Sequence, residues 1–185
     1  MKKRVLIPFT TGVEELELVA IVDLLRRAHI EACMASLDGD VVTGRSGITL
    51  QADAALDDVM GESWDMIVLP GGLPNAHLLR DHTSVQQVVL RLHQEKKIIA
   101  AICAAPIALA TLGITHGMQL TAYPSCQSDI EALQPTSTYL PDAVVEDDWL
   151  ITSRGAGTAI EFALRLIAKL SHPSLSEKIR QEIVA

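Results

Sequence analysis

The sequence predicts an α/β protein, with a doubly wound, mainly parallel sheet and helices on both faces. Three observations predict it. Short apolar runs alternate with longer helix-period segments from one end to the other, the pattern of successive βαβ units. Hydrophobic residues make up 49% of the chain but aromatics only 3%, so the apolar volume comes from Ala, Val, Leu and Ile, as in strands buried on both faces. The 185 residues are one ordinary domain's worth, and 1–185 reads as a single domain with no internal repeat and no linker.

Each element has its own signal. RVLIPF at 4–9 is a fully apolar strand, and 14–28 follows as a helix. EACMASL at 31–37 reads as the next strand, and VVTGRSGITLQ at 41–51 as a hairpin turning on its glycines. MIVL at 66–69 and IIAAIC at 98–103 are buried strands, separated by a helix at 84–96. A helix at 104–112, a strand at 118–122 (MQLTA), an acidic-turned hairpin at 143–153 (AVVEDDWLITS) and a helix at 156–170 follow. The last segment starts a new outer helix at Pro173. In such a fold the loops that carry function lie at the C-terminal ends of the strands. Those are the loops after 66–69 and 98–103, together with the first turn of helix 14–28.

Composition narrows the function classes. Fifteen Lys+Arg against twenty-three Asp+Glu give a net charge of −8, which disfavours a nucleic-acid groove. Residues 98–128 contain no Asp, Glu, Lys or Arg, but Pro106, Gly113, Gly117 and Pro124 interrupt them, so no membrane span is expected. Cys33, Cys103 and Cys126 form no CxxC pair, which suits a reducing compartment. The opening MKKRVLIPF is basic, but its apolar stretch is too short for a signal peptide, and the expected location is cytoplasmic. Six scattered histidines show no HxH or HExxH spacing, and neither GxGxxG nor a Walker loop occurs, so neither a metal nor a nucleotide cofactor is expected.

Three places can carry chemistry. AAICAAP at 100–106 is an apolar strand ending at Cys103, then small residues and a proline: a strand-to-helix elbow that would expose a nucleophile at the sheet's edge. The start of the following helix would favour a thiolate, bringing Cys103 below the ordinary thiol value of about 8.5; a structural core cysteine is the competing reading. LPGGLPN at 69–75 can turn backbone N–H groups toward an anion or a developing oxyanion, or be an ordinary turn. On helix 14–28, Glu15, Asp23 and Arg26 share a charged side, while Glu17 points among Val13, Ala20, Ile21 and Leu24. A carboxyl there is either satisfied in the core or protonated and aimed at a reactive atom. Glu14 and Glu15 read as first-turn acids that suit the helix dipole. SRGAGT at 153–158 reads as a helix-start turn.

These pieces in this order resemble the ThiJ/PfpI superfamily, and within it the branch of the Parkinsonism-associated deglycase and the bacterial YajL proteins. The resemblance spans nearly the whole chain: GVEELELV at 12–19, RSGITLQADAAL at 45–56, DMIVLPGG at 65–72, AAICAAP at 100–106 and TSRGAGTAIEFAL at 152–164. It implies a flavodoxin-like fold, a homodimer, a nucleophilic Cys103 and Glu17 as its protonated hydrogen-bond partner. It further implies an oxyanion site from the backbone of Gly71, Gly72 and Ala104, and an anion-binding neighbourhood near Arg45 and Arg154. The activities it implies are a cofactor-independent glyoxalase turning methylglyoxal into lactate, deglycation of glyoxal-modified proteins and nucleotides, redox sensing and chaperone action. Two positions depart from relatives. The deglycase branch often has a histidine where this chain has Tyr123, and the protease branch has one where this chain has Ala104. A Cys-His hydrolase therefore lacks its base, and amidotransferase- or protease-like chemistry becomes the minor alternative. The leading expectation is a thiol enzyme acting on small dicarbonyls or their early adducts; the alternative is a redox sensor or holdase signalled by Cys103 oxidation. Cys126, just after Pro124, is a candidate resolving thiol for Cys103.

Overall fold

A computed structural model describes residues 2–185. β1 (Arg4–Phe9) leads into α1 (Glu15–Arg27), and β2 (Glu31–Ser36) returns parallel to β1. The hairpin of β3 (Val41–Thr43) and β4 (Thr49–Gln51) stands apart, and β5 (Ala54–Ala55) with the short α2 (Leu56–Val59) returns to the sheet. Next come β6 (Met66–Leu69), α3 (Asn75–Asp81), α4 (Thr83–Gln94), β7 (Ile98–Ile102) and α5 (Pro106–Thr111). β8 (Gln119–Leu120), α6 (Gln127–Leu133) and β9 (Thr138–Tyr139) follow, with β8 and β9 forming a parallel pair of their own. β10 (Val144–Asp147) and β11 (Leu150–Ser153) form the last hairpin, and α7 (Ala159–Leu170) and α8 (Pro173–Glu182) end the chain.

The main sheet has seven strands in the order β10-β11-β7-β6-β1-β2-β5, and only β10 runs antiparallel. Period-two alternation covers both faces. Val5, Ile7 and Phe9 of β1, Met66 and Val68 of β6, and Ala100 and Ile102 of β7 join the apolar layer under α1 and α7. Leu6, Ile67, Leu69, Ile99 and Ala101 join the opposite layer under α3, α4 and α5. The α/β, mainly parallel architecture and both hairpins are as the sequence predicts.

Other expectations fail for physical reasons. The strand predicted over 118–122 reduces to Gln119–Leu120 and lies outside the main sheet, because β11 occupies the position beside β7. The helix predicted over 104–112 begins only at Pro106, since Cys103 (φ +63°) is left-handed and Ala104 and Ala105 complete a turn. Helices α3 and α6 carry no signal in the sequence, because each is seven residues, too short for a periodic pattern. Glu15 is not on the solvent side: it is 4% exposed, and its Oε1 accepts the N–H groups of Ser46 (2.8 Å) and Ile48 (3.2 Å) in the β3–β4 turn. Burial works to raise its pKa, but these backbone donors win and hold the carboxyl below its ordinary value.

Candidate active site

The site forms where β1, β6 and β7 end. Strict alternation after Ile102 would send residue 103 to the layer under α5. The left-handed backbone at Cys103 (φ +63°) turns its side chain instead into the layer under α1, the same layer that holds Ile102. Such a conformation costs a non-glycine residue about 1–2 kcal/mol, and it is held from both sides. The Cys103 N–H donates to Ser153 O at 2.9 Å, and the Tyr123 N–H donates to Cys103 O at 2.7 Å.

Glu17 reaches the sulfur from α1. It is wholly buried, and its Oε2 accepts the Gly71 N–H at 2.8 Å. Its Oε1 is buried without a nitrogen or oxygen partner, and the Glu17 and Cys103 side chains are hydrogen-bond neighbours. Gly71 explains why the approach can be so close. A Cβ placed there would sit 2.6 Å from Cys103 Cβ, 2.7 Å from Glu17 Oε2 and 3.0 Å from Ile102 O. Any side chain at 71 would therefore displace one of the two reactive groups.

Burial dominates the electrostatics. It lifts the Glu17 carboxyl to about 7, opposed by the Gly71 N–H and by the Cys103 side chain. Burial, then the negative charge of Glu17 and its hydrogen bond, push the Cys103 thiol up to about 12, while the Ala104 and Gly72 N–H groups pull it down. The lowered thiol pKa expected from a helix start is thus not what the surroundings supply: α5 is six residues long and begins three positions beyond the sulfur. The two groups hold one negative charge between them near neutral pH, because a second would have to be buried beside the first. That singly deprotonated pair can move its proton from Sγ to Glu17 without changing the net charge of the site.

The remaining expected residues divide. Gly72 and Ala104 direct N–H groups at the sulfur, forming a two-amide cradle. The Gly71 N–H does not join them, because it is taken by Glu17. Arg45 pairs with Glu14 at 3.2 Å, close enough to Glu17 to favour its charged form. The Arg154 guanidinium donates to Pro141 O at 2.9 Å, and Arg154 lines a cavity of about 400 Å³ with Pro124, Gly155 and Tyr123, the residue whose N–H meets Cys103 O. Cys126 packs against the apolar layer opposite the one that holds Cys103. Among the described residues, no group of three His, Cys, Asp or Glu side chains is arranged to hold a metal ion.

Sequence reasoning missed Asn75, the first residue of α3. Its amide is fully buried at the base of the glycine loop, where it spans Thr10, Pro70 and Gly71. The available signal was an Asn after the second proline of LPGGLPN, at a helix start where its short amide suits local backbone bonds.

Comparison with known proteins adds four findings. A model described as the DJ-1/PfpI family matches residues 3–169. The Arabidopsis thaliana protein DJ-1 homolog A is 39% identical over 170 residues, covering 91% of this chain; the chain spans only 43% of that protein's length. A Caenorhabditis elegans protein named glutathione-independent glyoxalase DJR-1.2 is 30% identical over 166 residues, covering 90% of this chain and 87% of that protein. The crystal structure of Drosophila melanogaster DJ-1beta superposes with a TM-score of 0.95 at 34% identity, over 100% of this chain and 99% of that one.

Proposed function

This chain belongs to the DJ-1/PfpI family, and from that premise we propose that it is a cofactor-independent thiol enzyme acting on methylglyoxal-type dicarbonyls or their early glycation adducts. The observation that carries the reading is the meeting of Cys103, the partnerless Glu17 Oε1 and two backbone N–H groups at a spot where residue 71 has no room for a Cβ. The relative named a glutathione-independent glyoxalase supports the substrate class.

The chemistry balances without an outside oxidant. Glu17 takes the proton from Sγ as the sulfur attacks the aldehyde carbon; the S–C bond forms, the C=O π bond opens, and the Gly72 and Ala104 N–H groups hold the alkoxide until Glu17 hands it that proton and is a carboxylate again. The aldehyde C–H proton then leaves to Glu17, and its electron pair forms an enediol with the neighbouring carbonyl carbon. Glu17 returns the proton to that second carbon as the first becomes a thioester carbonyl, its hydroxyl proton passing to the oxygen of the second carbon, which becomes the lactate hydroxyl. One carbon is oxidised and its neighbour reduced by the same two electrons. Water cleaves the thioester, releasing lactate and the thiol. The enzyme acts as a homodimer joined through α1.

Lactate formation from methylglyoxal, with glutathione absent, tests this reading. Wild type should produce lactate and Cys103→Ser should not. Equal rates, or none from wild type, would remove the glyoxalase reading. A redox-sensing role is the second reading, and the same site supports it, since two amides and a protonated Glu17 could hold the oxygens of a Cys103 sulfinate.

A further inference from the structure

Asn75 stands three positions beyond Gly72 and is wholly buried, and its side-chain hydrogen bonds go to the backbone of Thr10, Pro70 and Gly71 rather than to the sulfur. Its single side-chain nitrogen donates two hydrogen bonds, to Pro70 O at 2.8 Å and to Gly71 O at 2.9 Å, and its Oδ1 accepts the Thr10 N–H at 2.9 Å. Those carbonyls belong to successive peptide units. In a trans peptide the C=O and N–H of one unit point in opposite directions. Holding Pro70 O therefore aims the Gly71 N–H, which meets Glu17 Oε2 at 2.8 Å. Holding Gly71 O aims the Gly72 N–H, which faces the Cys103 sulfur. We infer that Asn75 is a positioning residue: one amide nitrogen sets the direction of both loop N–H groups, one serving Glu17 and the other Cys103.

Only an amide does this well at that position. Two N–H donors on one atom match two carbonyls on one side, and the amide oxygen meets the Thr10 N–H on the other. The second tie on Gly71 O, the Glu14 N–H at 3.0 Å, comes from the start of α1, so the loop is registered to the helix that carries Glu17. Among the described residues Pro70 O receives no such second tie in the backbone network, which leaves Asn75 as its holder.

The inference rests on the proposed reading only in taking Cys103 as the reactive group, and its test does not use turnover. Asn75→Asp keeps the acceptor for Thr10 and, even protonated, can hold only one carbonyl; Asn75→Leu keeps neither function. Alkylation of each cysteine by iodoacetamide would be followed by peptide mass spectrometry across pH 5–10, with circular dichroism to check folding. Cys103 should react at pH 7 about threefold more slowly in Asn75→Asp and about tenfold more slowly in Asn75→Leu, the latter a shift of about one pKa unit. Cys33 and Cys126 should keep their wild-type rates. If the Leu variant does not fold, the Asp profile decides alone. A folded variant with the wild-type Cys103 profile overturns the inference, as does a change shared equally by all three cysteines. If wild type makes no lactate while the Cys103 shift appears, the glyoxalase reading falls and the role of Asn75 stands.

Discussion

At Glu17 a carboxyl lies where charge is costly, and the cost has a sign that can be measured. Its folded pKa of about 7 lies above the ordinary 4.5, so folding is favoured when the group is protonated. That contribution is complete below pH 4.5 and is lost as pH rises through about 7, on the order of 3 kcal/mol in all. Glu17→Gln does not titrate. Urea melts should therefore show the variant gaining on wild type by about that amount between pH 4.5 and 8. The reactive state of the pair needs one proton removed, so Cys103 alkylation in wild type should rise through about pH 7 and lose that limb in Glu17→Gln. Under mild peroxide the yield of Cys103 sulfinate should rank wild type, then Glu17→Gln, then Glu17→Leu, because each step removes donor strength from the sulfinate oxygens. An identical oxidation series in all three would make Glu17 a satisfied core residue and end its role as proton carrier. Glu17 was legible in the sequence because a carboxyl interrupted an apolar helical face. The raised pKa of Cys103 was not, since it depends on burial by α1 and on the charge that α1 brings.

Among the elements, the glycine loop after β6 and the β3–β4 hairpin fix the site in different ways. Gly71→Ala puts a methyl group within 3 Å of Cys103 Cβ, Glu17 Oε2 and Ile102 O, and rigid neighbours on every side leave it no relief. The variant should lose about 1–3 kcal/mol of stability and the distinctive Cys103 alkylation profile together, while Gly61→Ala, whose Cβ meets nothing within 4 Å, keeps the profile. The hairpin is tied to α1 by Glu15 alone among the buried carboxylates. Removing it in Glu15→Ala should cost about 1–3 kcal/mol and speed hydrogen exchange at Ser46 and Ile48. Because the Glu15 pKa is lowered, its contribution runs opposite to that of Glu17: present at neutral pH and lost as pH falls through the carboxylate range. Unchanged exchange at both amides would show that the hairpin holds itself. The elements of the main sheet were legible because each central strand is an unbroken apolar run bounded by glycine or charge. Glu15 was not, since its partners lie across a turn 31 to 33 residues away, and Asn75 showed only its local side, the bonds to Pro70 and Gly71, while its tie to Thr10 spans 65 residues, a distance that no local pattern encodes.

At the scale of the whole molecule, the fold leaves an apolar surface uncovered where α1 meets α7. Leu16 and Val19 on α1 are 60% and 50% exposed, and Ile160 on α7 is 46% exposed; with Ala20, Ala156, Gly157 and Ala159, and Asp23 as the one charged side chain, they line a hollow of about 350 Å³. The sequence predicts only part of this, because periodicity marks the inward face of α1 and says nothing of a second apolar stripe on its outer side. Small residues on the α7 side allow close approach, and the stripe belongs to the helix that carries Glu17. A second copy seated there would cover Leu16, next to the carboxyl that faces Cys103, so assembly and site geometry should change together. Sedimentation at micromolar concentration should give a dimer for wild type and a monomer for Val19→Glu, which places a charge at the centre of the stripe without touching the core. The monomeric variant should keep its secondary structure and show a Cys103 alkylation profile displaced from wild type, with Cys33 unaffected. If Val19→Glu remains a dimer, the interface lies on another face; if wild type sediments as a monomer, the exposed stripe has a different purpose and the site is complete within one chain.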